Sequence, residues 1–300
     1  MVQIRTTANK RGFIPIKILW LGVLLLILHS CVKNKLTDPD PGPGIDPDPE
    51  DPVLNLTLDW SNGDPDAVIP STFTVRIGNQ SAGLSGNPVS FPQPLETGTY
   101  PMLVYTNHDA ITVNGNVATV NAVPVSRSEL VIASDPGWLF SSAMNVTLTE
   151  GENTATAVMR QLIRVLNLSI EVDSPDAGIQ SVTAALSGVV HSINLETGEI
   201  IEGVASSAAP FVLTGNLLVA SFQLLGLQPL EDNVLTVTVT YADDSRQTFI
   251  SDVTDKLTDF NEGTETPVDL ETDIQITQTP AGFSGTISDW KTANHSGSAH

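Results

Sequence analysis

From Leu54 onward the apolar residues of this chain fall at every second position, and that rhythm limits what it can fold into. Leu54, Leu56, Leu58 and Trp60 alternate with Asn55, Thr57 and Asp59. Phe73, Val75 and Ile77 alternate with Thr74 and Arg76, and Leu235, Val237, Val239 and Tyr241 alternate with three threonines. Successive side chains of a strand point to opposite faces, so each run predicts a strand with one buried face. Turn signals separate the runs at Asn114-Gly115-Asn116, Ala242-Asp243-Asp244 and Thr279-Pro280-Ala281-Gly282. Helical periodicity is scarce, and only Ser126 to Ser134 reads as a short helix. Many short strands between frequent turns predict an all-β chain of antiparallel β-sandwiches rather than an α/β fold.

An internal echo suggests two such units. Residues 54–60 read LNLTLDW and residues 166–172 read LNLSIEV. Each copy is expected to open a sandwich, with the connection near Met159 to Arg164. The expected organisation is an N-terminal sandwich over residues 53–161, a C-terminal sandwich over 162–290 and a polar tail over 291–300. Domains of about this size bury enough surface to be stable alone.

The residues ahead of Leu54 follow different rules. Arg5, Lys10, Arg11 and Lys17 precede an apolar run of eleven residues, Ile18 to Leu28. A membrane-spanning helix takes about 20 residues, so the run reads as a secretion signal over residues 1–30 rather than as an uncleaved anchor. Leu28-His29-Ser30-Cys31 follows, and it resembles a bacterial lipobox: an aliphatic residue at −3, a small residue at −1, then cysteine. In that pattern the Cys31 thiol takes a diacylglyceryl group and the chain is cut between Ser30 and Cys31. Palmitate-type acyl chains bury methylenes at ~0.8 kcal/mol each, enough together for a stable anchor. Cys31 is the only cysteine, which rules out an intrachain disulfide and a site of several thiolates.

Residues 31–52 carry the lipidated cysteine and an acidic tether. Six prolines lie between Pro39 and Pro52, with Asp38, Asp40, Asp46, Asp48, Glu50 and Asp51 among them. Proline favours extended geometry and the acids repel one another, so this stretch could hold the body up to about 65 Å from its anchor. Proline at every second position opposes the tight wrapping a calcium loop needs.

Charge and residue content narrow the function. The formal charge is −21, and losing the four basic residues of the first thirty deepens it by four, to −25. Such a chain repels phosphate backbones, so nucleic acid is not an expected partner. No G-x-S-x-G, phosphate loop or H-E-x-x-H is present, and Ser85 in Gly83-Leu84-Ser85-Gly86 lacks the nucleophile spacing. His108 and His191 stand far apart without local partners, and no metal or cofactor is expected. An enzyme is therefore not expected. Trp60, Trp138 and Trp290 are the candidates for a sugar-stacking surface, although Trp60 and Trp290 end alternating strands and read better as packing residues.

Several segments, taken in their order along the chain, carry a family resemblance. They are Leu95-Glu96-Thr97-Gly98-Thr99-Tyr100 leading into MLVYTN, Pro136-Gly137-Trp138-Leu139-Phe140, and Met159 to Val165. Leu186-Ser187-Gly188-Val189, Asn194-Leu195-Glu196-Thr197-Gly198, Asp252-Val253-Thr254-Asp255 and Ile287-Ser288-Asp289-Trp290 continue it. The chain resembles the FimB/Mfa2-type fimbrial anchor subunits of Bacteroidetes, within the fimbrillin group. The resemblance implies two transthyretin-like β-sandwich domains, an outer-membrane lipoprotein exposed at the cell surface through acyl chains on Cys31, and a place at the base of a pilus. It further implies a fimbrial stalk subunit as partner, docked through strands. The tail after Trp290, KTANHSGSAH, holds two alanines and no larger apolar residue, so it would fill a neighbour's groove poorly. The competing expectation is a surface lipoprotein that binds glycan or a host ligand without a pilus.

Overall fold

The computed structural model describes residues 51–126, 129–173, 178–201, 203–279 and 282–293. Cys31, Ser30 and the whole tether lie outside the described residues. The described chain is almost entirely β, as the alternation predicts, with one 3-10 turn at Thr254–Lys256.

One sandwich is built on the first copy of the echo. Strand β1 (Val53–Asp59) sits in a narrow sheet between β11 (Glu152–Val158) and the two-residue β4 (Val89–Ser90). The facing sheet runs β12 (Arg160–Gln161), β10 (Phe140–Leu148), β5 (Gly98–Thr106), β2 (Thr72–Ile77), β3 (Gln80–Ser85). The alternating leucines Leu54, Leu56 and Leu58 turn inward and meet Phe73, Val75, Ile77, Val104 and Phe140 in one core. Each such burial contributes about 1.5–3 kcal/mol.

The second sandwich repeats the plan on a wider scale. One sheet runs β17 (Val212–Thr214), β18 (Leu217–Leu224), β13 (Arg164–Val172), β21 (Val268–Thr279), β22 (Gly282–Ile287), with β23 (Lys291–Thr292) also on β21. The other runs β20 (Arg246–Asp252), β19 (Val234–Tyr241), β14 (Ile179–Val190), β16 (Val204–Pro210), β9 (Leu130–Ala133), β8 (Ala122–Pro124). The echo has a structural meaning. In each sandwich the first strand lies parallel to the last long one: β1 on β11, with Leu56 beside Ala155, and β13 on β21, with Leu168 beside Leu270. Neighbouring parallel strands need a long crossover, and here almost a whole sandwich supplies it. The sheets are otherwise antiparallel, except where β9 joins β16.

Residues 111–124 and 130–133 belong physically to the second core, although they precede the junction in sequence. Strand β7 (Val117–Val120) pairs with β6 (Ile111–Asn114) on one side and with β15 (Ser192–Asn194) on the other. Ile111, Ala118, Val120 and Ile132 lie in the larger core cluster with Leu166, Leu168 and Phe222. The short helix expected from Ser126 to Ser134 is not formed, because Leu130–Ala133 is strand β9. The β-branched Val131 and Ile132 suit a strand, and hydrogen-bonding partners in β8 and β16 outweigh a weak local helical period.

Trp290 is buried in the larger core, and Trp60 packs edge-on against Phe140 at 5.3 Å. Trp138 is half-buried and touches both core clusters. Trp138, one of the three candidates for a sugar-stacking surface, thus packs against both cores.

Candidate functional site

The segment Met159 to Arg164 that joins the sandwiches builds the most elaborate polar arrangement among the described residues. Gln161 is 1% exposed. Its Nε2 donates to the carbonyls of Ile163 (2.7 Å) and Thr264 (2.6 Å), and its Oε1 accepts from the Asp64 N–H (2.8 Å). The Thr264 hydroxyl donates back to the Gln161 carbonyl at 2.7 Å. One side chain thus ties the β1–β2 loop, the connection and the 259–266 loop together. Buried Ser141 adds a second tie, donating to the Leu195 carbonyl at 2.7 Å. A third comes from Asn261, whose amide pairs with both backbone groups of Leu227 at 2.8 Å.

Two arginines flank this seam. Arg164 opens β13, and its guanidinium gathers the 259–266 loop around itself. Nε donates to the Thr266 carbonyl (2.6 Å), and Nη1 faces the carbonyls of Asp259 (2.6 Å), Phe260 (2.7 Å) and Glu262 (2.6 Å). The ring of Phe260 lies 5.4 Å from the guanidinium carbon. Arg160 reaches across to the loop after β15. The side chain of Asn194 accepts from the N–H groups of Glu196 and Thr197 and so bends that loop. The bend presents the Thr197 carbonyl to Arg160 Nη1 at 2.8 Å and the Glu196 carbonyl to Nη2 at 3.4 Å. Gly198, at φ +77°, lies flat beneath the guanidinium: a Cβ there would stand 2.9 Å from its central carbon. Burial pulls both arginines below the ordinary guanidinium value, and the carboxylates of Glu265 and Asp259 partly offset this at Arg164. Both remain cationic at neutral pH. Between them lies a cavity of about 370 Å³ whose lining also includes Thr197, Gly198, Phe260 and Glu265.

The other candidate surfaces are sheet edges. Among the described residues, the outer edge of β11 carries no further strand. The edge strand β17 exposes Val212 and Leu213, next to the exposed Leu217 and Val219 of β18. The last apolar strand, β22, pairs with β21 inside its own sandwich.

Sequence reading and structure part company over these sites. Cys31 and Ser30 lie outside the described residues. His108 and His191 sit on separate loops: the His108 ring covers Gly137, and His191 packs over Gly203. No group of three or more His, Cys, Asp or Glu is placed to hold a metal among the described residues, and no helix among them is long and apolar enough to cross a membrane. Gln161, Arg160 and Arg164 were not singled out from sequence. The available signal was Arg160 and Arg164 four residues apart in the apolar MRQLIRVLNL, in a chain where acids far outnumber bases.

The overall fold has solved counterparts. The fimbrial anchor protein Mfa2 from Porphyromonas gingivalis superposes with a TM-score of 0.51 at 13% identity, covering 80% of this chain and 97% of that one. A candidate adhesin from Bacteroides ovatus gives a TM-score of 0.53 at 10% identity, covering 83% and 96%. A candidate polysaccharide-binding protein from Bacteroides thetaiotaomicron gives 0.51 at 10% identity, covering 81% and 98%. These likenesses establish the fold. No protein-family model matches the sequence, and no curated protein matches it.

Proposed function

We propose that this chain is a non-enzymatic, lipid-anchored subunit of a fimbria, held at the outer membrane by acyl chains on Cys31 and acting in cell adhesion. The supporting observation is a combination: a secretion signal with a lipobox-like Leu28-His29-Ser30-Cys31, an acidic proline tether, and a body with the fold of a fimbrial anchor protein. Within that reading the chain takes the base position and faces outward. A pilin docks onto it as an added strand, through main-chain hydrogen bonds and alternating side chains. One feature favours an end position: β22 is committed to its own sandwich. The boundary between the two sandwich domains is placed at residues 161 and 162, inside the segment that carries the polar junction.

Cys31→Ala tests the anchor. The variant is expected to move from the membrane to the soluble fraction and to lose fatty-acid labelling; unchanged partitioning would overturn the lipid assignment. Protease shaving of intact cells should release the body if it faces outward. Removing residues 294–300 should leave pilus attachment intact, and loss of attachment in a folded, lipidated protein would sink the end-position reading.

A second reading is a surface lipoprotein that binds glycan without a pilus. It is favoured by the likeness to a candidate polysaccharide-binding protein. Recovery of a polymeric pilin with the tagged protein supports the first reading. Saturable polysaccharide binding with no associated pilin supports the second.

A further inference from the structure

We propose that the cavity between Arg160 and Arg164 is a binding site for the carboxylate of a small, monosaccharide-sized acid.

The first observation is an unspent donor. Nε and Nη1 of Arg164 point their three N–H groups at four carbonyls, which accounts for the side chain as a loop clamp. Nη2 makes no hydrogen bond among the described residues, and the side chain lines the cavity. The loop clamp leaves this nitrogen unused, so it is free to donate to a ligand in the cavity.

The second observation is charge. The cavity lining contains two guanidinium groups and one carboxylate, that of the exposed Glu265. Among the described residues both arginines donate only to backbone carbonyls, and Glu265 and Asp259 act on Arg164 through space. The lining therefore carries one net positive charge inside a chain of formal charge −21. A monovalent carboxylate neutralises it. A dianion would overshoot and meet the surrounding acidic field.

The third observation is preorganisation. Arg164 is held by its carbonyls and Phe260. Arg160 is held by the Thr197 carbonyl over Gly198, where a side chain would not fit. Fixed guanidinium forks lose little freedom on binding and match the two oxygens of a carboxylate. The cavity volume of about 370 Å³ suits a ligand of monosaccharide size.

The shared chemistry could come from an acidic sugar or from the free end of a peptide, so the test carries both. Titration calorimetry on the folded body would use glucuronate and N-acetyl-dialanine as carboxylates, with glucose and sulfate as controls. Saturable binding of either carboxylate, tighter than both controls, is expected, and the tighter of the two names the source. Arg160→Gln should weaken that binding about tenfold, as for loss of a charged hydrogen bond, while the melting temperature stays close to the parent's. Arg160→Lys, which keeps the charge and loses the fork, should fall between. The proposal is overturned if neither carboxylate binds better than glucose, if sulfate binds tighter than both, or if Arg160→Gln binds within twofold of the parent. Arg164 is left intact because its loop depends on it. The site stands independently of the fimbrial reading: loss of pilus association in some other experiment would not touch it.

Discussion

The two sandwiches begin alike and end differently. β1 and β13 share a sequence pattern, bury the same alternate side chains and lie parallel to β11 and β21. On the other flank, β1 has only the two-residue β4, whereas β13 has the eight-residue β18. The outer edge of β21 is covered by β22 and β23, and the outer edge of β11 has no neighbour among the described strands. The second unit also recruits β6 to β9 from the first half of the chain. The opening strand of one unit is thus thickly buttressed on both sides, and the other unit leaves a seven-residue edge at β11 whose backbone groups can pair with a further strand. That asymmetry agrees with the proposal that a pilin strand docks away from the C-terminal strands.

Matched truncations would probe the asymmetry most strongly. Leu56 and Leu168 occupy the same position in the echo and are both about fully buried. Leu168→Ala should destabilise by about 2–5 kcal/mol, the usual range for a well-packed core leucine. Leu56→Ala should cost less, because the short β4 leaves its neighbours freer to close the void. Urea unfolding followed by circular dichroism checks both, and equal losses would break the comparison.

The next effect lies at the seam. Gln161→Leu strands the Asp64 N–H and the carbonyls of Ile163 and Thr264 in a buried place. A loss of about 1–3 kcal/mol is expected, with faster hydrogen exchange at the Asp64 amide. If the melting temperature falls but the Asp64 amide stays protected, the seam is not what couples the 64 loop to the second unit.

These residues also show what could be read in advance. The alternation of Leu54 to Trp60 and of Leu235 to Tyr241 announces strands because burial on one face has a local signature. The echo announces two units because β1 and β13 must each present the same face to a facing sheet. Strands β6 to β9 carry no such signal: they span four residues or fewer, and the partners that fix them, β15 and β16, arrive some seventy residues later. Arg160 and Arg164 stay silent for another reason. Their partners are backbone carbonyls, which every residue possesses, so no complementary side chain marks the pairing in the sequence.

Acid titration touches both units through exposed carboxylates. Hydrogen bonds from Ser61 hold Asp59 below its ordinary value, and those from Thr254 and Ser245 do the same for Asp252 and Asp243. A carboxyl depressed in the folded state contributes stability above its unfolded pKa and loses it as pH falls through the folded one. The contribution should therefore be intact above pH 3.8 and fade below it, removing the caps of loops in both units. Asp252→Asn should flatten that part of a melting-temperature profile against pH, lying slightly below the parent at neutral pH and converging with it as pH falls below 3.8.

The smallest effect on stability should come with the largest effect on assembly. Thr156 is exposed on β11, the strand with the open edge. A surface Thr156→Lys should change stability by no more than about 0.5 kcal/mol. Lysine on an edge strand opposes the approach of another strand, since a docking chain must desolvate the ammonium. Pilin recovery should drop in Thr156→Lys while the melting curve stays put. The same lysine placed at Thr248 of β20, an edge strand of the second unit, should leave pilin recovery unchanged. Equal losses from both sites would mean that added charge, rather than the open edge of β11, disturbs docking, and the contrast between the two sandwiches would then carry no information about where a partner binds.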